Sequence, residues 1–224
     1  MPAHRPSHVP SGRPLWSLLE DAVVDNGVDG EALTVRGRWG DIVVADPNPV
    51  VREALRRMTL GPVALENIWP LNENFARWKA GSGPCTEWRR LKRTLDQLGG
   101  VVVPSLGHLD GAGPILSVIA VAHDAVFTLP HVDDDQPVRL RPEAVIEGLN
   151  GDQVLVVPGL RYQVVLHREP ATAVAKALLA GDTTITEISG SLQLDRPVVA
   201  DVVAYLTGAG FTLPGRSLPP NADE

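Results

Sequence analysis

The chain has 224 residues, 44% of them hydrophobic and 21% charged, enough to bury a real core in one large or two small domains. A formal net charge of −7 argues against bulk attraction to nucleic acid or anionic membrane, and a single cysteine, Cys85, excludes an internal disulfide framework and a cysteine-based metal cage. No apolar run reaches the roughly 18 residues that span a bilayer, and the basic N-terminus lacks the apolar stretch of a signal peptide, so a cytoplasmic protein is expected.

Residues 1–13 and 215–224 are rich in Pro, Ser and Asn and are expected to be disordered. Residues 14–106 predict a first unit. In it, Leu33–Val35 and Ile42–Val44 read as strands around an RGRWG turn, and Pro49 opens a helix carrying Val51, Ala54, Leu55 and Met58. Ala64–Ile68 predicts a short second helix. Glu87–Leu98 predicts a third, with Trp88, Leu91, Leu95 and Leu98 on one stripe, stopped by Gly99-Gly100 before a strand at Val101–Val103. Residues 107–137 contain GPILSVIAVAHDAVFTLP, of strand composition, and predict a linker strand or hairpin that packs two units together. Residues 138–214 predict the second unit: strands at Ala144–Leu149, Gln153–Val157 and Tyr162–Leu166, the first two joined by the tight turn Asn150-Gly151. Helices follow over Ala173–Leu178, Thr184–Ile188 and, capped by Asp195, Val198–Leu206, before a short strand at Phe211–Leu213.

The halves repeat one order: VVADPNPVVREAL matches VVLHREPATAVAKAL, and LDQLGGVVVP matches VAYLTGAGFTLP. The expected fold is therefore α+β, with tandem winged-helix-turn-helix modules, each a small antiparallel sheet plus three helices. The alternative is one α+β domain whose halves resemble each other by chance.

No catalytic constellation emerges. The six histidines form no HExxH pattern, and Asp133–Asp135 lacks the spacing of a calcium loop, so no metal site is expected. Ser117, His123 and Asp124 have triad composition without a GxSxG elbow, and GHLDGAG at 107–113 lacks a Walker lysine. The remaining charge feature is the third helix of the first unit, with Arg89, Arg90, Lys92 and Arg93. On a winged helix this is where DNA is read, yet the chain is acidic and the face offers no Asn or Gln at adjacent turns for base contacts. An acidic peptide suits the same arginines, and an ordinary solvated face remains open.

The second unit, VRLRPEAVIEGLNGDQVLVVPGLRYQVVLH with three helices after it, resembles the PqqD-like peptide-recognition element (RRE) of modified-peptide pathways. Over about residues 32–213, GPILSVIAVAHDAVF, VVLHREPATAVAKALLA and VVAYLTGAGF resemble the N-terminal, non-catalytic region of actinobacterial SagB-type azoline dehydrogenases. Those enzymes use FMN in a following domain to oxidise azolines on a precursor peptide. With Glu224 as the last residue, the resemblance implies no cofactor in this chain, FMN on a partner subunit, and a role in thiopeptide-like biosynthesis. Implied partners are a precursor (leader) peptide and a flavin-dependent dehydrogenase or a cyclodehydratase, in a homo- or hetero-oligomer. An extended leader would add as a strand to a sheet edge beside the third helix. In the second unit the expected contacts are Tyr162, Val164 and Leu166 on the third strand with Val199, Val202 and Tyr205 on the helix; plain core packing is the competing role. In the first unit they are Ile42 and Val44 on the edge strand with Arg89, Arg90 and Arg93. A DNA-binding regulator, and an enzyme whose flavin site forms across a partner interface, stay open as alternatives.

Overall fold

The computed structural model describes residues 12–27, 32–73, 85–108, 110–149 and 151–215. The first half holds β1 (Arg13–Leu18), β2 (Val23–Asn26), β3 (Ala32–Gly37), β4 (Gly40–Ala45), α1 (Pro49–Met58), a 3-10 turn at Leu65–Asn67, α2 (Thr86–Leu98), a second 3-10 turn at Gly99–Val101 and β5 (Val102–Gly107). After β6 (Pro114–Ala120) come β7 (Val138–Leu140), β8 (Val145–Leu149), β9 (Asp152–Val156), β10 (Tyr162–Leu166), α3 (Ala171–Ala180), α4 (Ile185–Leu192), α5 (Arg196–Gly208) and β11 (Thr212–Pro214). The fold is mixed α+β with antiparallel sheets.

Local chemistry accounts for the helices. Asn48 caps α1 by accepting from the Val51 N–H at 2.8 Å, Pro49 presets the first turn, and Val50, Val51, Ala54, Leu55 and Met58 form its buried stripe. α2 buries Leu91, Leu95 and Leu98 and ends at Gly99, whose φ of 52° is left-handed. α4 begins with a complete capping box between Thr184 and Glu187.

The strands depart from two separate small sheets. β2-β3-β4 form a three-stranded sheet, but β1-β5-β6-β10-β9-β8 form one six-stranded sheet, with β11-β7 as a separate pair. Of the second half's strands, β8, β9 and β10 therefore share the six-stranded sheet with β1 and β5 of the first half, and only β7 and β11 pair apart from it. β6, expected as a linker, is an interior strand: Ser117 pairs with Ser105 of β5 on one side and with Val165 of β10 on the other. β1, which starts inside the expected N-terminal tail, pairs with β5 along its whole length. Its outer side is closed at Trp16, which exchanges two 2.9 Å backbone bonds with Val63. The expected second helix of the first half is reduced to the 3-10 turn at Leu65–Asn67.

Two apolar cores lie against these sheets, one around α1 and α2, the other around α3–α5. Trp39, in the β3–β4 turn, packs against both. That contact requires Gly100, because a Cβ there would stand 2.5 Å from the Ala122 carbonyl and 2.9 Å from the Trp39 ring. Gly100→Ala is expected to cost about 1–3 kcal/mol through forced repacking of this joint. Gly148→Ala, where a methyl group meets nothing within 4 Å, should leave stability unchanged or slightly raised; denaturant midpoints of the two variants check the contrast.

Candidate functional site

The residues expected to bind peptide in the second half are core residues. Tyr162 is 8% exposed, Val164, Val199 and Val202 are fully buried, and Leu166 and Tyr205 are at 1% and 2%. β10 is not an edge: β6 occupies one side and β9 the other. The groove beside α5 is also filled. The Tyr205 hydroxyl donates to the Ser105 carbonyl at 3.0 Å, and the Phe127 ring lies 5.4 Å from Tyr205 and 6.2 Å from Tyr162. Phe127 and Thr128 approach α5 closely enough that only glycine fits at 208. Strand addition at β10, and peptide side chains against Val199, Val202 and Tyr205, have no room in this arrangement.

The first half presents the opposite geometry. β4 is the outer strand of its sheet. Val44 is buried, Ile42 is half-buried, and Val43 is 55% exposed. Gly37 pairs with Gly40 across the two-residue turn Arg38-Trp39. Counting outward from that hydrogen-bonded pair, Ile42 and Val44 face β3 through their backbone groups, and Asp41, Val43 and Ala45 direct theirs outward. One outward carbonyl has a partner: the Gln97 side chain on α2 donates from Nε2 to Val43 O at 2.9 Å.

Helical spacing places the rest. With Leu91, Leu95 and Leu98 turned inward, Arg89, Arg90, Arg93 and Gln97 share one exposed arc of α2. The Gln97 contact sets that arc toward β4. The opposite flank carries the Lys92–Asp96 ion pair and lines a cavity of about 10 Å³ between the halves, with Trp16, Phe127 and Tyr162 on its walls. That space suits one water and no ligand. Among the described residues, no carboxylate lies within ion-pair distance of Arg89, Arg90 or Arg93. On α1 the situation is reversed: Arg56 and Arg57 both bond to Glu53 and hold its carboxyl down at about 2. Arg56 and Arg57 on α1 thus share a carboxylate on their own helix, whereas Arg89, Arg90 and Arg93 on α2 have none among the described residues.

Elsewhere, polar groups are engaged with one another. Ser117 does not meet His123 or Asp124. Asp124 pairs with Arg161 at 2.7 Å, and the His123 carbonyl accepts from Gly100. Ser117 Oγ lies 2.7 Å from Ser105 Oγ and 2.9 Å from His167 Nε2, with Asp152 3.6 Å from the His167 Nδ1. This serine–histidine–aspartate order is set by register, because His167 follows two residues after Val165, the partner of Ser117. Nothing in the local sequence announces it. Ser117 is 6% exposed in an interior strand and its hydroxyl is saturated by two partners, so a substrate carbonyl has no approach. In the 107–113 loop Asp110 makes a two-pronged bond with Arg168 at 2.8 and 3.0 Å; that bond, with the Ala112 N–H, brings its carboxyl down to about 2. The acidic turn is tied to α4, with Asp135 accepting from the Thr186 hydroxyl. No cluster of three metal-ligating side chains and no helix long and apolar enough to cross a membrane occur among the described residues. Comparison of the chain with protein-family models and with curated proteins returns no match.

The chain has two tyrosines, Tyr162 and Tyr205, and both are buried. Burial pushes the Tyr162 hydroxyl up to about 12, against the pull of Arg161. Burial and then the nearby Asp201 charge raise Tyr205 as well. A raised acid favours the neutral folded form, so its contribution is complete below the unfolded value near 10 and is lost as pH rises through the folded value. In an alkaline titration, phenolate absorbance should stay flat through pH 10 and rise only as the circular dichroism of the fold is lost.

Proposed function

We propose that this chain is a non-catalytic peptide-binding and scaffold subunit. It takes an extended acidic peptide as an added strand on β4, with the arginines of α2 neutralising its carboxylates. The observation that carries this reading is the contrast between β4 and β10: among the described residues β4 is paired with a strand on one side only, beside guanidinium groups with no carboxylate partner, whereas β10 is paired on both sides. Main-chain bonds along such an edge supply affinity and register for any extended peptide. Arginine clusters select for acidic side chains through charge-assisted bonds.

Each half is read as a winged-helix unit of the peptide-recognition type. Supporting this are the order of strands followed by helices in both halves and the resemblance to the N-terminal region of SagB-type azoline dehydrogenases. In that setting the peptide is the leader of a precursor to an azole-containing product. FMN belongs to a partner dehydrogenase subunit, a cyclodehydratase is the other natural neighbour, and the chain acts within a homo- or hetero-oligomer in the cytoplasm. The peptide reading is preferred over a DNA-binding regulator on one ground. A DNA reader leaves the hairpin after its recognition helix free to touch phosphates, whereas β5 and β6, which follow α2, are interior strands.

Fluorescence anisotropy with a labelled peptide of alternating Glu and Val tests the proposal on the full chain. Changing Arg89, Arg90 and Arg93 together to Ala should weaken binding by about tenfold, as expected for a few partly exposed ion pairs, and Arg161→Ala in the second half should leave it unchanged. Retention of duplex DNA at physiological salt with a steep salt slope, and no peptide binding, would overturn this reading in favour of the regulator.

A further inference from the structure

Resting on the peptide reading of the β4 face, we propose that Gln97 is a displaceable latch on that edge, and that its release is the step which admits an extended acidic ligand. Gln97 is the residue of α2 whose side chain bonds to β4, and it does so at Val43 O, an outward-facing backbone acceptor in the middle of the strand. A docking strand needs that carbonyl, because its own N–H must replace the Gln97 amide for the ladder to continue past Val43. Until then the latch satisfies the group and interrupts the edge, which is how exposed strands are kept from pairing indiscriminately with other chains.

The same arc of α2 supplies the selection. Arg93 lies one turn before Gln97 and Arg90 two turns before it, so a ligand that displaces the amide brings its flanking carboxylates to guanidinium groups lacking an acidic partner among the described residues. An extended peptide without carboxylates exchanges one hydrogen bond for another and gains little. An acidic one adds charge-assisted bonds to the exchange. The latch therefore sets a threshold that neutral strands do not pass.

The test uses the full chain and the labelled Glu-Val peptide, with a Gln-Val peptide of the same length as its neutral counterpart. Gln97→Ala removes the latch, and Gln97→Asn keeps an amide whose shorter side chain falls short of Val43 O. Both variants should bind the acidic peptide about two- to tenfold more tightly than wild type, the range of one net hydrogen bond. Both should also gain on the neutral peptide by at least as much, narrowing the preference between the two. If the two variants bind the acidic peptide no more tightly than wild type, while Arg90→Ala/Arg93→Ala still weakens it, the latch is wrong and the peptide face stands. If neither wild type nor Gln97→Ala binds the acidic peptide at all, the peptide face is wrong and the latch with it.

Discussion

An antiparallel strand presents N–H and C=O groups on both sides, and in a buried sheet both rows need partners. β5 and β10, one from each half, each leave one such row, and β6 satisfies both at once. The rest of the molecule follows from that double pairing. It fuses strands of the two halves into one sheet and obliges the chain after β6 to cross back over α5. There Phe127 packs between Tyr162 and Tyr205, and Gly208 leaves room for the Thr128 carbonyl. Trp39 and Gly100 close the joint from the other side.

That pairing also makes the two halves unequal. Both carry antiparallel strands leading into a helix with buried residues. Yet β10 is sealed and β4 is not. Local order repeats because capping residues and apolar spacing act within a few residues of themselves. The freedom of a strand edge is decided by whatever else the chain delivers to it. In the second half the chain delivers β6; in the first, among the described residues, it delivers the Gln97 amide. β4, unlike β10, is an outer strand, and it lies beside the α2 arginines, which have no carboxylate within ion-pair distance among the described residues.

Much of the element order was legible before any coordinates. α1, α2, α4 and α5 lie close to where their caps and stripes place them, and β3, β4, β8, β9 and β10 follow their β-branched runs. β1 escaped notice because RPLWSL follows a Pro-rich tail and shows no alternation. It is a strand because β5 offers it a partner. β7 is three residues long and exists by pairing with β11. The first half's second helix is a 3-10 turn at Leu65–Asn67, although Ala64, Leu65 and Ile68 are all buried. Of the site residues, the α2 arginines were readable because helical spacing exposes whatever is opposite a leucine stripe. Tyr162, Val164 and Leu166 were misplaced on an edge, because the same alternation describes an edge strand and an interior one; Val199, Val202 and Tyr205, expected beside a groove, lie on a helix face that is buried in the core.

The sequence by itself determined the α+β class, the approximate position of most helices and the basic face of α2. Each of these depends on residues within one or two turns of one another. Only the tertiary structure decided that β6 is an interior strand, that β4 keeps an open edge, and that Gln97 reaches Val43 across 54 positions. Backbone hydrogen-bonding groups are the same at every residue. Which of them pair is therefore settled by how the whole chain folds back, and not by the side chains that mark a strand as a strand.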